Sequence, residues 1–261
     1  MSEAGRGDRD PPAADAVRTR RQAIVIGLLA ATAAVTCFGL GIWQLERRAW
    51  KLDLIARVET RSTAPPAALP PPSDWTGPAL AGLEYRRVSA SGRFRHDLET
   101  FVQAVTEYGP GFWVLTPLET EGGFTVLVNR GFVPPERRDA ASRAAGNVGG
   151  TIHVTGLARL SEPGGAFLRR NDPAADRWYS RDIAAIAAAR GLDRVAPYFV
   201  DADATPNPGG WPVGGLTVLA FRNTHLVYAL TWFALALMAT GALAYLIRQE
   251  AASRGGKHTS P

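Results

Sequence analysis

The sequence predicts a membrane-anchored α+β protein in which two transmembrane helices flank a strand-dominated extracytoplasmic domain with one or two helices of its own. Three observations predict it. Two windows, Ala23–Leu45 and Leu226–Ile247, are 23 and 22 residues long and carry no Asp, Glu, Lys or Arg. Between them lie short runs of alternating apolar and polar residues, broken by Gly and Pro, which is the pattern of strands. The mean hydropathy of −0.06 averages these two populations, which excludes a disordered chain and argues against a wholly soluble one.

The elements follow in order. Residues 1–22 hold Glu3, Asp8, Asp10, Asp15 and Pro11-Pro12 and read as a solvated, disordered cytoplasmic tail. A mitochondrial presequence is poor in acids, so a bacterial inner membrane is the expected home in preference to a mitochondrial one. Spanning a bilayer takes about 20 residues at ~1.5 Å each, so residues 23–45 suffice. The apolar core of a cleaved signal peptide is shorter, ~7–15 residues, and ends at a small-x-small site. Here the run ends in Trp43-Gln44-Leu45-Glu46-Arg47-Arg48, which favours a retained anchor. Leu52, Leu54, Ile55 and Val58 recur at helical spacing, so the first helix should continue beyond the span into the outer domain, residues 46–221.

Within that domain, Ala64–Pro78 contains Pro65-Pro66 and Pro70-Pro71-Pro72 and reads as a stiff extended linker. Strands are expected at Tyr85–Phe94, Leu98–Thr106, Phe112–Leu118, Phe124–Asn129 and Ile152–Ala158. Asn129-Arg130-Gly131 reads as a hairpin turn with Gly131 at positive φ; contact with a partner is the rival role. Ser180–Arg190 reads as a helix with Ser180 as N-cap, Asp182 in the first turn and Gly191 as the stop. A last strand, Tyr198–Val200, precedes the loop Pro206–Gly215, and residues 222–247 form the second transmembrane helix. Residues 248–261 read as a second disordered cytoplasmic tail. Two spans place both termini on one side. Arg18, Arg20 and Arg21 precede the first span, while Arg248, Arg254 and Lys257 follow the second, which puts that side in the cytoplasm. Arg47, Arg48 and Lys51 pull the other way, but long domains translocate largely regardless of charge.

Several function classes are excluded or disfavoured. The net charge is +5 and the basic residues are nearly all arginine, Lys51 and Lys257 being the only lysines; no basic run is dense enough for nucleic acid. Cys37 is the only cysteine, so there is no disulfide framework, CxxC pair or cysteine zinc site. His96, His153, His225 and His258 show no metal spacing, and no GxSxG elbow exists. The glycine cluster Pro208–Gly215 lacks the Lys-Ser/Thr of a phosphate loop and reads as a tight turn. Binding is therefore expected rather than catalysis, with no catalytic residues.

The unusual residues lie at one edge of the spans. With both termini inside, the end of the first helix and the start of the second share the outer interface. Gly39, Gly41, Trp43 and Gln44 then lie level with Arg222, Asn223, His225 and Tyr228. Trp43 and Tyr228 fit an interfacial aromatic belt, and the two glycines fit close helix packing. His225 differs, because an ionisable side chain at a span boundary signals function. His225 and Trp232 are seven residues apart, so at ~100° per residue they return to nearly one face with ~10.5 Å of rise between them. Arg222, three residues before His225, shares that face. An imidazole, an aromatic wall and a guanidinium in line suit a flat apolar ligand with an acidic edge. Haem is such a ligand, with His225 on the iron and Arg222 on a propionate.

Specific motifs carry a family resemblance. They are Phe38-Gly39-Leu40-Gly41-Ile42-Trp43-Gln44, Arg47-Arg48, Trp50-Lys51-Leu52, Glu84-Tyr85-Arg86 and Val128-Asn129-Arg130-Gly131-Phe132-Val133-Pro134. Asn171-Asp172-Pro173, Trp178-Tyr179, Arg181-Asp182, Gly214-Gly215, Arg222-Asn223-Thr224-His225-Leu226, Tyr228 and Thr231-Trp232 continue the series. In this order they resemble the surfeit locus protein 1 family, assembly factors of haem-copper cytochrome c oxidase, over roughly residues 38–235. The resemblance implies a role in maturing the oxidase subunit that holds haem a. It implies haem a as cargo, since some bacterial members bind it through a second-helix histidine and a nearby tryptophan, here His225 and Trp232. Part of the family has an acid before this histidine, where this chain has Thr224. The implied partners are the catalytic subunit of a haem-copper oxidase, a haem a synthase, membrane lipids and a second copy of the chain. A membrane-anchored scaffold that holds oxidase subunits without touching haem is the alternative. A periplasmic hydrolase on two anchors is a more distant one.

Overall fold

The computed structural model describes residues 13–166, 168–219 and 223–255. The chain divides into two compact units, Met1–Leu54 with Phe221–Pro261, and Ile55–Ala220.

The first unit is a helical pair. Helix α1 runs from Ala13 to Thr63, its last residues belonging to the second unit, and helix α4 from His225 to Gly255. Both are long and apolar enough to cross a membrane. Their side chains are covered on one stripe only. On α1 the covered positions include Ala23, Gly27, Ala30, Ala34, Cys37, Gly41, Gln44 and Arg48; on α4 they include His225, Ala229, Trp232, Ala236, Ala239, Leu243, Leu246 and Glu250. Steps of four and three alternate on both, a 3.5-residue repeat that keeps one seam against the partner helix. On α1, alanine and glycine hold five of those eight seam positions. The Phe38 and Phe233 rings meet at 5.6 Å. Outside the seam, large apolar side chains stand open, Val35 and Leu237 each 74% exposed.

Both helices outrun the expected spans. Residues 13–22 and 248–255 are helical, not disordered. Once an apolar span nucleates a helix, each further residue adds one hydrogen bond, and Ala13, Ala14, Ala16 and Arg18 are strong helix formers. The rest of both expected tails, residues 1–12 and 256–261, lies outside the described residues.

The second unit is built on seven strands and two short helices. In chain order these are β1 (Ala67–Ala68), α2 (Gly77–Ala81), β2 (Arg87–Phe94), β3 (Thr100–Thr106), β4 (Gly109–Thr120), β5 (Thr125–Val133), β6 (Ile152–Leu160), α3 (Ile183–Arg190) and β7 (Val195–Ala202). The sheet order is β1-β2-β6-β7-β5-β4-β3, and β2 also pairs with β4. Strands β2, β6, β7, β5 and β4 therefore close into a ring, with β1 and β3 as outer additions. Val88, Leu118, Val126, Val128, Tyr198 and Val200 form one core cluster. Alternate residues of the same strands, Leu115, Leu127 and Phe199, join Val102, Trp178, Ile183 and Ile186 of α3 and its surroundings in a second cluster. Strand β5 is consequently buried along its whole length.

Three local expectations change. The proline-rich linker is not featureless: Ala67 and Ala68 add to β2 in parallel, and the Pro70 carbonyl accepts hydrogen bonds from Trp75 Nε1 and the Tyr198 hydroxyl, both at 3.1 Å. Helix α3 is capped by Asp182, whose side chain accepts from the Ala185 amide, while Ser180 Oγ instead donates to the Glu162 carbonyl. Gly191 stops this helix in the left-handed region, φ 62°. Asn129-Arg130-Gly131 is no turn, because β5 continues through it to Val133. Long-range partners override the local turn propensity there: Asn129 pairs with Leu115 of β4 and Asp201 of β7.

Candidate functional site

The first turn of α4 places His225 on the seam. Its Nδ1 lies 2.8 Å from Gln44 Oε1 on α1. An amide oxygen only accepts, so this bond requires a proton on Nδ1. In the neutral ring the lone pair then sits on Nε2, on the far side of the ring from Gln44. Nε2 makes no hydrogen bond among the described residues. Trp232 lies two turns along the same seam and is half-buried. Arg222 lies outside the described residues.

The remaining edge residues separate by direction. Gly41 is buried, and a β-carbon there would meet the Phe233 ring at 2.5 Å. Gly39 is exposed with nothing within 4 Å of that position, so close packing explains Gly41 and not Gly39. Two residues along a helix are ~200° around it, which turns Gly39 outward. Trp43 and Tyr228 also point outward, 51% and 55% exposed. Asn223 Oδ1 is buried with no partner among the described residues.

Among the described residues no group of three His, Cys, Asp or Glu could hold a bare metal ion. A metal bound at His225 would have to bring most of its own ligands. An iron porphyrin does so, supplying four equatorial nitrogens and leaving an axial position for one imidazole. An Nε2 without a hydrogen-bond partner among the described residues fits that need.

Comparison with known proteins bears on the whole chain. The model of the SURF1 family matches residues 31–237. The chain belongs to the SURF1 family. Surfeit locus protein 1 of Rattus norvegicus is 39% identical over 217 residues, 77% of this chain and 68% of the rat protein. Surfeit locus protein 1 of Homo sapiens is 38% identical over 219 residues, 77% and 70% of the two chains. The SURF1-like protein of Monosiga brevicollis is 38% identical over 242 residues, covering 87% and 89%. The SURF1 match takes in residues 31–63 of the first apolar helix, residues 225–237 of the second, and all the described strands of the second unit.

This SURF1 chain also holds a charge cluster that sequence reasoning missed. Glu99, 8% exposed, accepts from Arg143 and Arg130 and from the Thr116 hydroxyl at 3.0 Å. Burial alone would raise the Glu99 carboxyl, but the Arg143 hydrogen bond and the charges of Arg143 and Arg130 outweigh it and hold it below the usual range. Arg130 is 2% exposed, and its desolvation lowers the guanidinium. One of its terminal nitrogens donates to the Gly146 carbonyl and to Asn207. His96 joins the cluster, Nδ1 lying 3.3 Å from Arg130 and Nε2 3.1 Å from the Val148 carbonyl. A second network centres on Asp201, 3% exposed, which accepts from Asn129 at 2.7 Å and from Arg159 and Arg181 at 3.1 Å. The only local signal for either network was the charge of Glu99 inside the expected strand Leu98–Thr106, since Arg130, Arg143, Arg159, Arg181 and Asp201 lie outside the expected strands.

Proposed function

We propose that this chain is an assembly factor for haem-copper cytochrome oxidase. It holds haem a at the head of the helical pair and helps its insertion into the catalytic subunit or the stabilisation of that subunit. The carrying observation is His225, whose Nδ1 is engaged by Gln44 while Nε2 has no hydrogen-bond partner among the described residues. In this reading His225 Nε2 is an axial ligand, Trp232 packs on the macrocycle and Arg222 pairs with a propionate. Haem is cargo: the oxidase uses its redox chemistry, and this chain only binds and orients it. Family membership and the want of a catalytic constellation in the sequence support delivery over turnover.

The reading includes two transmembrane helices in a bacterial inner membrane, with both termini cytoplasmic and the strand domain outside. The apolar side chains standing open around the helical pair support this, because contiguous apolar surface is costly in water. The test is co-expression with a haem a synthesis pathway, purification and a pyridine haemochrome spectrum. A haem a signal is the expected result; protein free of haem overturns the carrier reading.

One observation favours the scaffold alternative. Strand β3 is an outer strand of the sheet, and the hairpin it forms with β4 presents Val105 and Tyr108, 83% and 53% exposed. An exposed apolar tip on an outer strand whose edge is bridged only at Val102–Trp178 among the described residues suits docking to another subunit. Haem-free protein that still co-purifies with oxidase subunits is the outcome that selects the scaffold.

A further inference from the structure

We infer that Gln44 is a positioning residue for His225: it holds the imidazole in the tautomer that carries its proton on Nδ1 and so presents Nε2 as a ligand. The inference deepens the haem reading and rests on it for its consequence, but its structural part stands on the helical pair alone.

Three features carry it. The two side chains come from different helices and are 181 residues apart in sequence, yet meet at 2.8 Å. Both occupy the seam between the helices and are half-buried there. The Phe233 ring packs against Gly41 one turn before Gln44 on α1, filling the space a β-carbon there would need. A free neutral imidazole chooses between two tautomers, and one of them protonates Nε2 and cannot ligate through it. An acceptor fixed on Nδ1 removes that form and orients the ring. A neutral amide does this more gently than a carboxylate. That suits a ligand which must later give up its iron, and it assigns to α1 a role in tuning a bond made by α4.

The test uses the full chain in detergent with 15N-labelled histidine. Ring-nitrogen shifts are recorded without haem, and the His225 signals are identified by their loss in His225→Gln. Wild-type His225 should be protonated on Nδ1 with a bare Nε2. Gln44→Leu should move the proton to Nε2, and Gln44→Glu should restore it to Nδ1. Wild-type protein protonated on Nε2, or a tautomer unchanged in Gln44→Leu, overturns the inference.

Haem loading then reads the consequence. Gln44→Leu should lose haem affinity about 10- to 100-fold, the usual effect of removing such a support. Gln44→Glu should retain haem with a more negative midpoint potential than wild type. Tautomer shifts as expected with no haem in any variant, wild type included, leave the positioning role standing and remove the carrier reading. Full haem content and an unaltered spectrum in Gln44→Leu, despite a moved proton, overturn the claim that Gln44 supports ligation.

Discussion

Gly41 lies directly against the Phe233 ring, whose edge fills the space that a β-carbon at residue 41 would need. This contact packs α1 against α4 one turn of α1 before Gln44, which reaches His225. Gly41→Val should therefore push the ring and the helices apart, costing ~1–3 kcal/mol as overpacking does. Gly39→Val, at an exposed position with open space, should be close to neutral. Unfolding of the two variants in denaturing detergent checks the contrast.

The second prediction concerns the ordering of effects at the proposed haem site. His225→Ala should nearly abolish bound haem. Trp232→Leu keeps most of the apolar volume and should weaken binding without eliminating it. Arg222→Gln should loosen binding and leave the axial-ligand spectrum intact. Haem content and absorption spectra across the three decide it: unaltered haem in His225→Ala places the ligand elsewhere.

Removing the Glu99 carboxylate should be severe. Glu99→Gln leaves Arg130 and Arg143 buried without their counter-charge, a loss of ~3–5 kcal/mol for a broken buried pair. The pH dependence has a definite sign. The folded-state carboxyl is depressed below its ordinary 4.5, so its stabilisation is complete above that pH and is lost as pH falls through the lower folded value. Unfolding midpoints of wild type and Glu99→Gln should differ by a constant amount above pH 5 or so, and converge in stronger acid.

Gly131 should tolerate no side chain. Its φ is +131°, and a β-carbon would run into the Val213 carbonyl. That carbonyl accepts from the Phe132 amide at 2.8 Å while the Val213 amide donates back at 2.9 Å. Gly131→Ala combines backbone strain with a steric conflict and should cost at least ~1–3 kcal/mol. Thermal unfolding measures it.

Arg130→Ala should act through stability too, because its guanidinium is spent on Glu99, Gly146 and Asn207 inside the domain. Loss of ~3–5 kcal/mol is expected. A melting temperature unchanged from wild type, together with lost oxidase assembly, would show instead that Arg130 contacts a partner.

The sequence by itself determined the two apolar helices, the strand-rich α+β character of the middle, most strand positions and the face shared by His225 and Trp232. These follow from the apolar pattern at 3.6 and 2 residues per repeat, which a local window carries. It could also place Gln44 level with His225, since two antiparallel spans must bring those ends together. Only the tertiary structure decided that the two bond through Nδ1, that Gly41 is packed and Gly39 bare, and that the strands close into a ring. It alone showed that Asn129-Arg130-Gly131 runs on as buried strand. In that segment turn-forming residues meet Asp201, Glu99 and Val213, 72, 31 and 82 residues away in the chain. Local propensity is worth tenths of a kcal/mol to ~1 kcal/mol per residue. A buried ion pair or a close backbone approach outweighs it, and such partners are chosen by the folded chain rather than by neighbouring residues.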